Sequence, residues 1–154
     1  MPKVNRRTAL CKGAASLTIP VAALLSPGCI QSQQGGQRNT VKIHFLEIVT
    51  PDVEGACSLY SMMYGVTFGD PDQDLGGART ADLDGGGMLG VRAPLRDTET
   101  PVVRPYVLVD DISAAVSAAA QAGAEIAMMP TEIASYGQFA IVIHGGIESG
   151  LWQI

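Results

Sequence analysis

The chain has 154 residues, enough for one ordinary domain and a short additional segment. Fifteen acidic residues outnumber ten basic ones, which gives a net charge of −5. Without residues 1–28 the chain keeps six basic and fifteen acidic residues, a net charge of −9. This balance excludes the basic patch that binds nucleic acid, so no nucleic-acid partner is expected.

The first 28 residues have the pattern of an export signal. Four basic residues between Lys3 and Lys12 come before an uncharged stretch at residues 13–25. A basic segment followed by an apolar one is typical of a secretory signal, and this apolar stretch is too short to span a bilayer. The pair Arg6-Arg7 resembles a twin-arginine signal, with an ordinary secretion signal as the alternative. The pattern predicts export to the periplasm or the cell surface.

A cysteine stands just after this segment. Leu24-Leu25-Ser26-Pro27-Gly28-Cys29 resembles a lipoprotein processing site, and acyl chains on Cys29 would hold the protein at a membrane face. The alternative is plain cleavage nearby, which leaves no anchor. Residues 29–40 are rich in Gln and Gly and nearly lack apolar side chains, which predicts a flexible tether. A membrane-anchored lipoprotein and an unanchored exported protein both stay open.

The domain at residues 41–154 begins with a strand and a helix. Val41–Val49 is rich in β-branched and apolar residues, as is typical of a strand. The following helix is predicted from a cap at Thr50 or Asp52 through Tyr64. A hairpin turn is expected at the Gly-rich residues 84–87. Three more strands are predicted in this half, at Val66–Phe68, Ala78–Leu83 and Met88–Ala93.

The second half repeats this order. Val102–Val109 is a predicted strand, and Ile112–Ala122 is an Ala-rich predicted helix with acidic residues before its positive N-terminus. A duplicated strand–helix–strand unit must bury two copies of one apolar face. The halves, residues 41–93 and 102–154, are therefore predicted to form a pseudo-symmetric pair. The remaining strands are predicted at Glu125–Met129, Phe139–Ile143 and Gly150–Ile154.

Several segments of this domain also carry a family resemblance. They are Glu47-Ile48-Val49-Thr50-Pro51-Asp52, Leu59-Tyr60, Arg104-Pro105-Tyr106-Val107-Leu108-Val109-Asp110-Asp111, Phe139-Ala140-Ile141-Val142 and Gly150-Leu151-Trp152-Gln153. Together they resemble the vicinal oxygen chelate superfamily, which includes glyoxalases, bleomycin-resistance proteins and extradiol dioxygenases. The resemblance implies an α+β fold of two tandem βαβββ modules that form one cup-shaped mixed sheet around a cleft. Fold alone does not give function.

The resemblance also locates the metal site of the metal-dependent members. A ligand there stands seven residues before the acidic residue that starts each helix, and these positions hold Phe45 and Arg104. A late Glu ligand of the family falls near Gly150. These three residues cannot bind a divalent cation in ordinary protein chemistry. We therefore predict no cofactor, with a divalent metal as the alternative. Its candidate ligands would be His44, Glu47, Glu148 and His144.

The alternation of side chains along two strands predicts the lining of the cleft. Phe45 and Glu47 share one face of the first strand, whereas His44 has the opposite parity and is expected at a sheet edge or beneath a helix. Arg104 and Tyr106 occupy the matching positions of the second half. Glu47 and Arg104 are either a structural ion pair or an anchor for a polar ligand group. The predicted cleft residues are Phe45, Glu47, Arg104, Tyr106, Leu108 and Trp152.

Three functions stay open at this point. The first is metal-independent binding of a small organic molecule, as in the resistance proteins of the family. The second is a lyase, isomerase or dioxygenase with an atypical set of metal ligands. The third is a non-enzymatic accessory domain tethered to the membrane. The oligomeric state is open between a monomer and a homodimer.

Overall fold

The computed structural model describes residues 40–154, so the predicted signal at residues 1–28, the lipidation candidate Cys29 and the tether up to residue 39 lie outside the described residues. In chain order the elements of the described part are β1 (Ile43–Val49), α1 (Val53–Tyr64), β2 (Arg79–Asp82), β3 (Met88–Arg92), β4 (Val102–Leu108), α2 (Ile112–Gln121), β5 (Glu125–Ile133), β6 (Gly137–His144) and β7 (Ile147–Gln153). Neither α1 nor α2 is long and apolar enough to cross a membrane.

The strands form one open mixed sheet in the order β2-β3-β1-β4-β7-β6-β5. At its centre β1 and β4 are antiparallel neighbours, and each has a parallel neighbour from its own half, β3 and β7 respectively. The two repeats therefore meet along β1 and β4. In this pair Glu47 lies opposite Arg104, and Phe45 lies opposite Tyr106. The arrangement confirms the predicted α+β class with a mixed sheet.

One strand of the first half is missing from the described residues. The predicted strand Val66–Phe68 is an irregular segment, so this half is βαββ rather than βαβββ. The segment follows Gly65, whose φ of 70° ends α1 in the left-handed conformation, and a turn-rich loop comes directly after it. Too few residues remain between the two turns to build a ladder. Phe68 is buried instead, packed in the core under α1.

Three of the four strands of the second half, β5, β6 and β7, are longer than predicted. β5 continues beyond Met129 through Pro130 to Ile133, where it pairs with Gly137 of β6. Proline cannot donate to a ladder, but β5 is an edge strand, and its register with β6 shifts between Met128 and Thr131. The edge position explains why a proline does not end this strand.

Both helices begin at an aspartate cap. The side chain of Asp52 accepts a hydrogen bond from the backbone N–H of Gly55 at 3.0 Å, and Asp111 accepts one from Ala114 at 2.9 Å. Such caps satisfy backbone donors that the first turn leaves free. The helix prediction is therefore confirmed with Asp52, not Thr50, as the cap of α1.

The two helices cover one face of the sheet. Ile48, Cys57 and Leu89 belong to the core under α1, and Val116 and Ala140 belong to the core under α2. Full burial of one aliphatic side chain stabilises a fold by about 1.5–3 kcal/mol, so these clusters hold the helices on the sheet. The opposite sheet face carries a third cluster, which is built around aromatic rings.

Candidate ligand-binding cleft

A cavity of about 680 Å³ lies on the sheet face opposite the helices. Its volume is within the range of small-molecule sites, about 300–1,000 Å³. The large apolar side chains of its lining come from both halves of the chain and are Phe45, Leu75, Leu95, Tyr106, Met128, Ile133, Phe139, Ile141 and Trp152. Charged side chains, Gln73, Thr98 and small residues line the remainder. The cavity therefore has an apolar wall and a polar end.

Four aromatic rings build the apolar wall. The ring centroids of Phe45 and Tyr106 both lie 5.6 Å from that of Trp152, and Phe139 lies 6.2 Å from it. These separations and the nearly perpendicular Tyr106–Trp152 pair are typical of favourable aromatic packing. The indole N–H of Trp152 donates to the carbonyl oxygen of Tyr136 at 2.9 Å. This bond fixes the wall's largest side chain.

Two glycines make room for these rings. A Cβ atom built at Gly90 would overlap the ring of Phe45, and one built at Gly150 would overlap the ring of Tyr106. Gly90 lies on β3 and Gly150 on β7, the two parallel neighbours of the central strands. The repeated architecture therefore places a glycine under an aromatic ring on each side of the cleft.

A buried carboxylate organises the polar end. Glu47 is 6% exposed, and its Oε1 accepts a hydrogen bond from Nε of Arg92 at 2.6 Å. Its Oε2 accepts bonds from Nη1 of Arg104 and, at 3.1 Å, from the hydroxyl of Tyr106. Both oxygens of Glu47 are thus engaged by side chains of the same cavity. Charge pairing of this kind is what allows a carboxylate to be buried.

Each guanidinium group has a second carboxylate partner. Arg92 donates from Nη1 and Nη2 to the two oxygens of Glu99, at 2.9 and 2.7 Å. Arg104 donates from Nε to Oε2 of Glu148 at 2.9 Å, and its Nη2 contacts the same oxygen. Two positive groups therefore stand among three negative ones. The polar end carries one net negative charge.

The environment shifts the pKa of several groups in this network. The hydrogen bond from Arg92, against the opposing effect of burial, lowers the pKa of Glu99 to about 2. Burial by itself would lower the pKa of Arg104, but the bond to Glu148 and the neighbouring negative groups raise it. Burial, followed by the charge of Glu47, raises the pKa of Tyr106. Near neutral pH, Tyr106 is therefore a neutral donor beside charged groups.

The residues at this site do not fit the metal that the family resemblance implies. At the three positions where the resemblance places metal ligands, Phe45 is apolar, Arg104 is a cation, and Gly150 has no room for a side chain beside Tyr106. Glu148 is held by Arg104. Among residues 40–154 no group of three or more His, Cys, Asp or Glu side chains is placed to hold a metal ion.

The two histidines of the described chain lie outside the cavity lining. His44 was expected at a sheet edge or beneath a helix, but its ring centroid is 5.4 Å from that of Trp152 on the other sheet face. The register of β1 with β4 shifts between Ile43 and Phe45, and this irregularity breaks the strict alternation at His44. Burial and nearby Lys42 lower the pKa of His44.

Five of the six predicted cleft residues line the cavity: Phe45, Glu47, Arg104, Tyr106 and Trp152. The sixth, Leu108, does not. It is the last residue of β4, opposite Trp152 of β7, and packs against the aromatic cluster from outside the cavity. The alternation of side chains along a strand predicts which sheet face a residue occupies, but it does not predict how far along the strand the cavity extends.

Sequence reasoning missed Arg92 and Glu99. Arg92 shares the parity of Met88 and Gly90 on β3, so a charge among apolar residues on the inner face was a usable signal. Glu99 lies in the connector between β3 and β4, where no periodic pattern exists. Only the folded connector brings its carboxylate to Arg92.

Comparison with known proteins identifies the fold. No family model and no curated protein matches the sequence. A hypothetical protein from Bacillus halodurans C-125 has a TM-score of 0.58 at 15% identity, with 75% of this chain and 95% of that chain covered. The methylmalonyl-CoA epimerase from Mycobacterium tuberculosis has a TM-score of 0.55 at 18% identity, with 72% and 86% covered.

A third similar structure contains a ligand. A Streptomyces coelicolor methylmalonyl-CoA epimerase variant in complex with 2-nitronate-propionyl-CoA has a TM-score of 0.52 at 17% identity, with 73% of this chain and 96% of that chain covered. The TM-scores of 0.52 to 0.58 establish a shared fold, whereas identities this low leave activity open. The chain therefore has the fold of the vicinal oxygen chelate superfamily.

Proposed function

We propose that this protein binds a small organic molecule in the cleft and that binding uses no metal ion. The observation that carries the proposal is the cavity of about 680 Å³ with an aromatic wall and one charged end. An apolar wall supplies binding energy by removing ligand surface from water. A few convergent polar groups at one end then set the orientation of the ligand.

The positions of the titratable groups support binding over acid–base catalysis. His44 and His144 are outside the cavity lining, and both oxygens of Glu47 already accept hydrogen bonds. A general base needs a free acceptor within reach of the substrate proton. Arg92 likewise binds both oxygens of Glu99, and Arg104 binds one oxygen of Glu148.

The residues at the expected metal-ligand positions support the metal-free part of the proposal. Phe45 belongs to the buried aromatic cluster, and Arg104 brings a positive charge that would repel a cation. A divalent ion would have to displace Arg104 from Glu47 and Glu148 together.

We also propose that the protein works outside the cytoplasm, held at a membrane by acyl chains on Cys29. This proposal rests on the sequence before residue 40: a basic segment, an apolar segment, the Gly28-Cys29 pair and a Gln/Gly-rich stretch.

The binding proposal can be tested with the chain's single tryptophan. Trp152 lines the cavity, so its fluorescence reports ligands that enter. We expect members of a panel of small aromatic compounds to change this fluorescence equally with and without EDTA. Loss of binding in EDTA, or a stoichiometric metal in native mass spectrometry of the full chain, would contradict the metal-free proposal. An unresponsive fluorescence across the panel would contradict the binding site itself.

A pair of variants on β6 locates the site. Phe139 lines the cavity, whereas Val142 has the opposite parity on the same strand. Phe139→Ala should weaken the binding of an aromatic compound by about tenfold, because roughly 50 Å² of apolar contact is lost. Val142→Ala should leave the affinity unchanged. Equal effects of both substitutions would mean that the ligand does not bind in this cavity.

A further inference from the structure

We infer that the cleft selects ligands with a positive charge on an apolar or aromatic body and disfavours anions. The inference rests on the proposed function, because it names the ligand class of the same cleft. It is argued from the pairing of the buried charges, the charges at the rim and the aromatic wall.

The buried arginines offer little to an anion. Arg92 donates from all three of its nitrogens, to Glu47, Glu99 and the carbonyl oxygen of Ala93. Arg104 likewise donates from all three, to Glu47 and Glu148. Four of the five N–H groups of Arg92 and three of the five of Arg104 are thus engaged by the protein, so an anionic ligand finds few free donors. An anion that approaches them also meets the excess negative charge of the three carboxylates.

The rim of the cavity adds charge of the same sign. Exposed Asp74, in the loop before β2, and exposed Glu132, on β5, line it together with one positive side chain, Arg96. Within residues 40–154, no salt bridge engages any of these three side chains. The rim therefore contributes one further net negative charge, and the cavity as a whole is negative. A cleft lined by one sign of charge focuses the field on its interior.

The wall is suited to a cation as well as to an apolar body. The faces of aromatic rings carry negative potential, and a cation within about 6 Å of a ring centroid is attracted to it. Phe139 is the partly exposed member of the wall, next to Tyr106 at a centroid distance of 6.1 Å. A ligand that packs on Phe139 can therefore direct a positive group towards Glu47 and Glu148. This preference differs from that expected for coenzyme A thioesters, which are anionic.

A matched series of probes tests the charge preference. The full chain is titrated with four compounds while the fluorescence of Trp152 is recorded. Three of them, 4-phenylbutylammonium, 4-phenylbutanol and 4-phenylbutyrate, share one apolar body, and the fourth is propionyl-CoA. We expect the ammonium compound to bind about tenfold more tightly than the butyrate at low salt, as for a charge interaction near a protein surface. The difference should shrink at high salt, since exposed charges are screened.

Variants on one strand assign the effect to the cavity. Glu132 lies at the cavity rim, and Glu125 lies on the same strand, exposed and away from the cavity. Asp74→Asn combined with Glu132→Gln should reduce the preference for the ammonium compound severalfold, and Glu125→Gln should not change it. Equal affinities, or tighter binding of butyrate or propionyl-CoA, would overturn the charge inference and leave the binding proposal standing. Failure of all four probes to bind would contradict both.

Discussion

Glu47 is the residue on which the polar end of the cleft depends. One of its carboxylate oxygens accepts a hydrogen bond from Arg92, and the other accepts hydrogen bonds from Arg104 and Tyr106. Of the two interpretations of the Glu47–Arg104 pair, these contacts favour the structural ion pair. An isolated charge at this depth would carry a large desolvation cost, so each member of the network makes the burial of the others tolerable.

The first prediction concerns this coupling. Arg104→Leu should lower the free energy of unfolding by about 3 kcal/mol, because it leaves part of a buried charge network unpaired. Arg104→Leu combined with Glu47→Gln should cost less than the two single losses together, as for residues in contact. Denaturant unfolding of the full chain measures all three variants. Arg96→Leu at the exposed rim is the control and should change stability little.

Strict additivity of the two losses in stability would show that Arg104 and Glu47 do not interact.

The same variants also test ligand recognition by Arg104. A stable Arg104→Leu protein with full affinity for an aromatic probe would leave Arg104 a purely structural residue. A loss of about 1.5–3 kcal/mol in binding alone would instead make it a recognition group.

The second prediction concerns pH. The pKa of Glu99 is lowered from 4.5 to about 2, so this carboxylate stabilises the fold fully above pH 4.5 and loses that effect as the pH falls towards 2. The shift corresponds to at most about 3 kcal/mol, since one pKa unit is about 1.36 kcal/mol. Glu99→Gln should therefore destabilise the protein at pH 7 and differ little from the wild type near pH 2. Urea unfolding at several pH values measures this.

Glu125→Gln is the control for this series, because Glu125 forms no salt bridge within the described residues. A destabilisation by Glu99→Gln that is the same at every pH would show that the Arg92–Glu99 pair is not the cause.

At the scale of elements, the close packing of β4 and β7 requires a residue without a side chain. Gly150 pairs with Tyr106 across these parallel strands, and a Cβ at Gly150 would overlap the Tyr106 ring. The hydroxyl of Tyr106 donates a hydrogen bond to Glu47 at 3.1 Å. The missing side chain at Gly150 on β7 therefore leaves room for the Tyr106 ring at the centre of the cleft.

The third prediction is that Gly150→Ala destabilises the protein by about 1–3 kcal/mol, the usual cost of overpacking a core. It should also change the fluorescence of Trp152, whose ring packs against Tyr106. Thermal unfolding and fluorescence spectra measure the two effects. Gly69→Ala is a matched control, because the nearest atom to its Cβ would be the Thr80 oxygen at an ordinary 3.8 Å. Equal effects at both glycines would contradict the packing argument.

At the scale of the whole molecule, the fourth prediction concerns processing. We expect the protein from its native host to begin at Cys29, to carry acyl chains there and to partition with membranes. Intact-mass measurement and membrane fractionation test this, and Cys29→Ser should release or misprocess the protein. Cys57→Ser is the control, because Cys57 is a buried residue of α1. An unmodified Cys29, or a start well beyond it, would disprove the proposal.

The sequence by itself determined the repeat, the α+β fold and much of the cleft. Asp52 and Asp111 cap equivalent helices, and that equivalence sets the matching positions of Phe45 and Arg104. Because side chains alternate strictly along a strand, local pattern was enough to put Phe45, Glu47, Arg104 and Tyr106 on one face.

Only the tertiary structure decided what these residues contact. Glu47 is 45 residues from Arg92, and Glu148 is 44 residues from Arg104. Those contacts depend on the order of strands in the sheet and on the path of the connector that carries Glu99. The irregularity at His44 and the absence of a strand at Val66–Phe68 are likewise seen only in the folded chain. A periodic sequence pattern predicts which face of a strand a residue occupies. An ion pair depends on the distance between two residues that are far apart in the chain, and only the tertiary structure sets that distance.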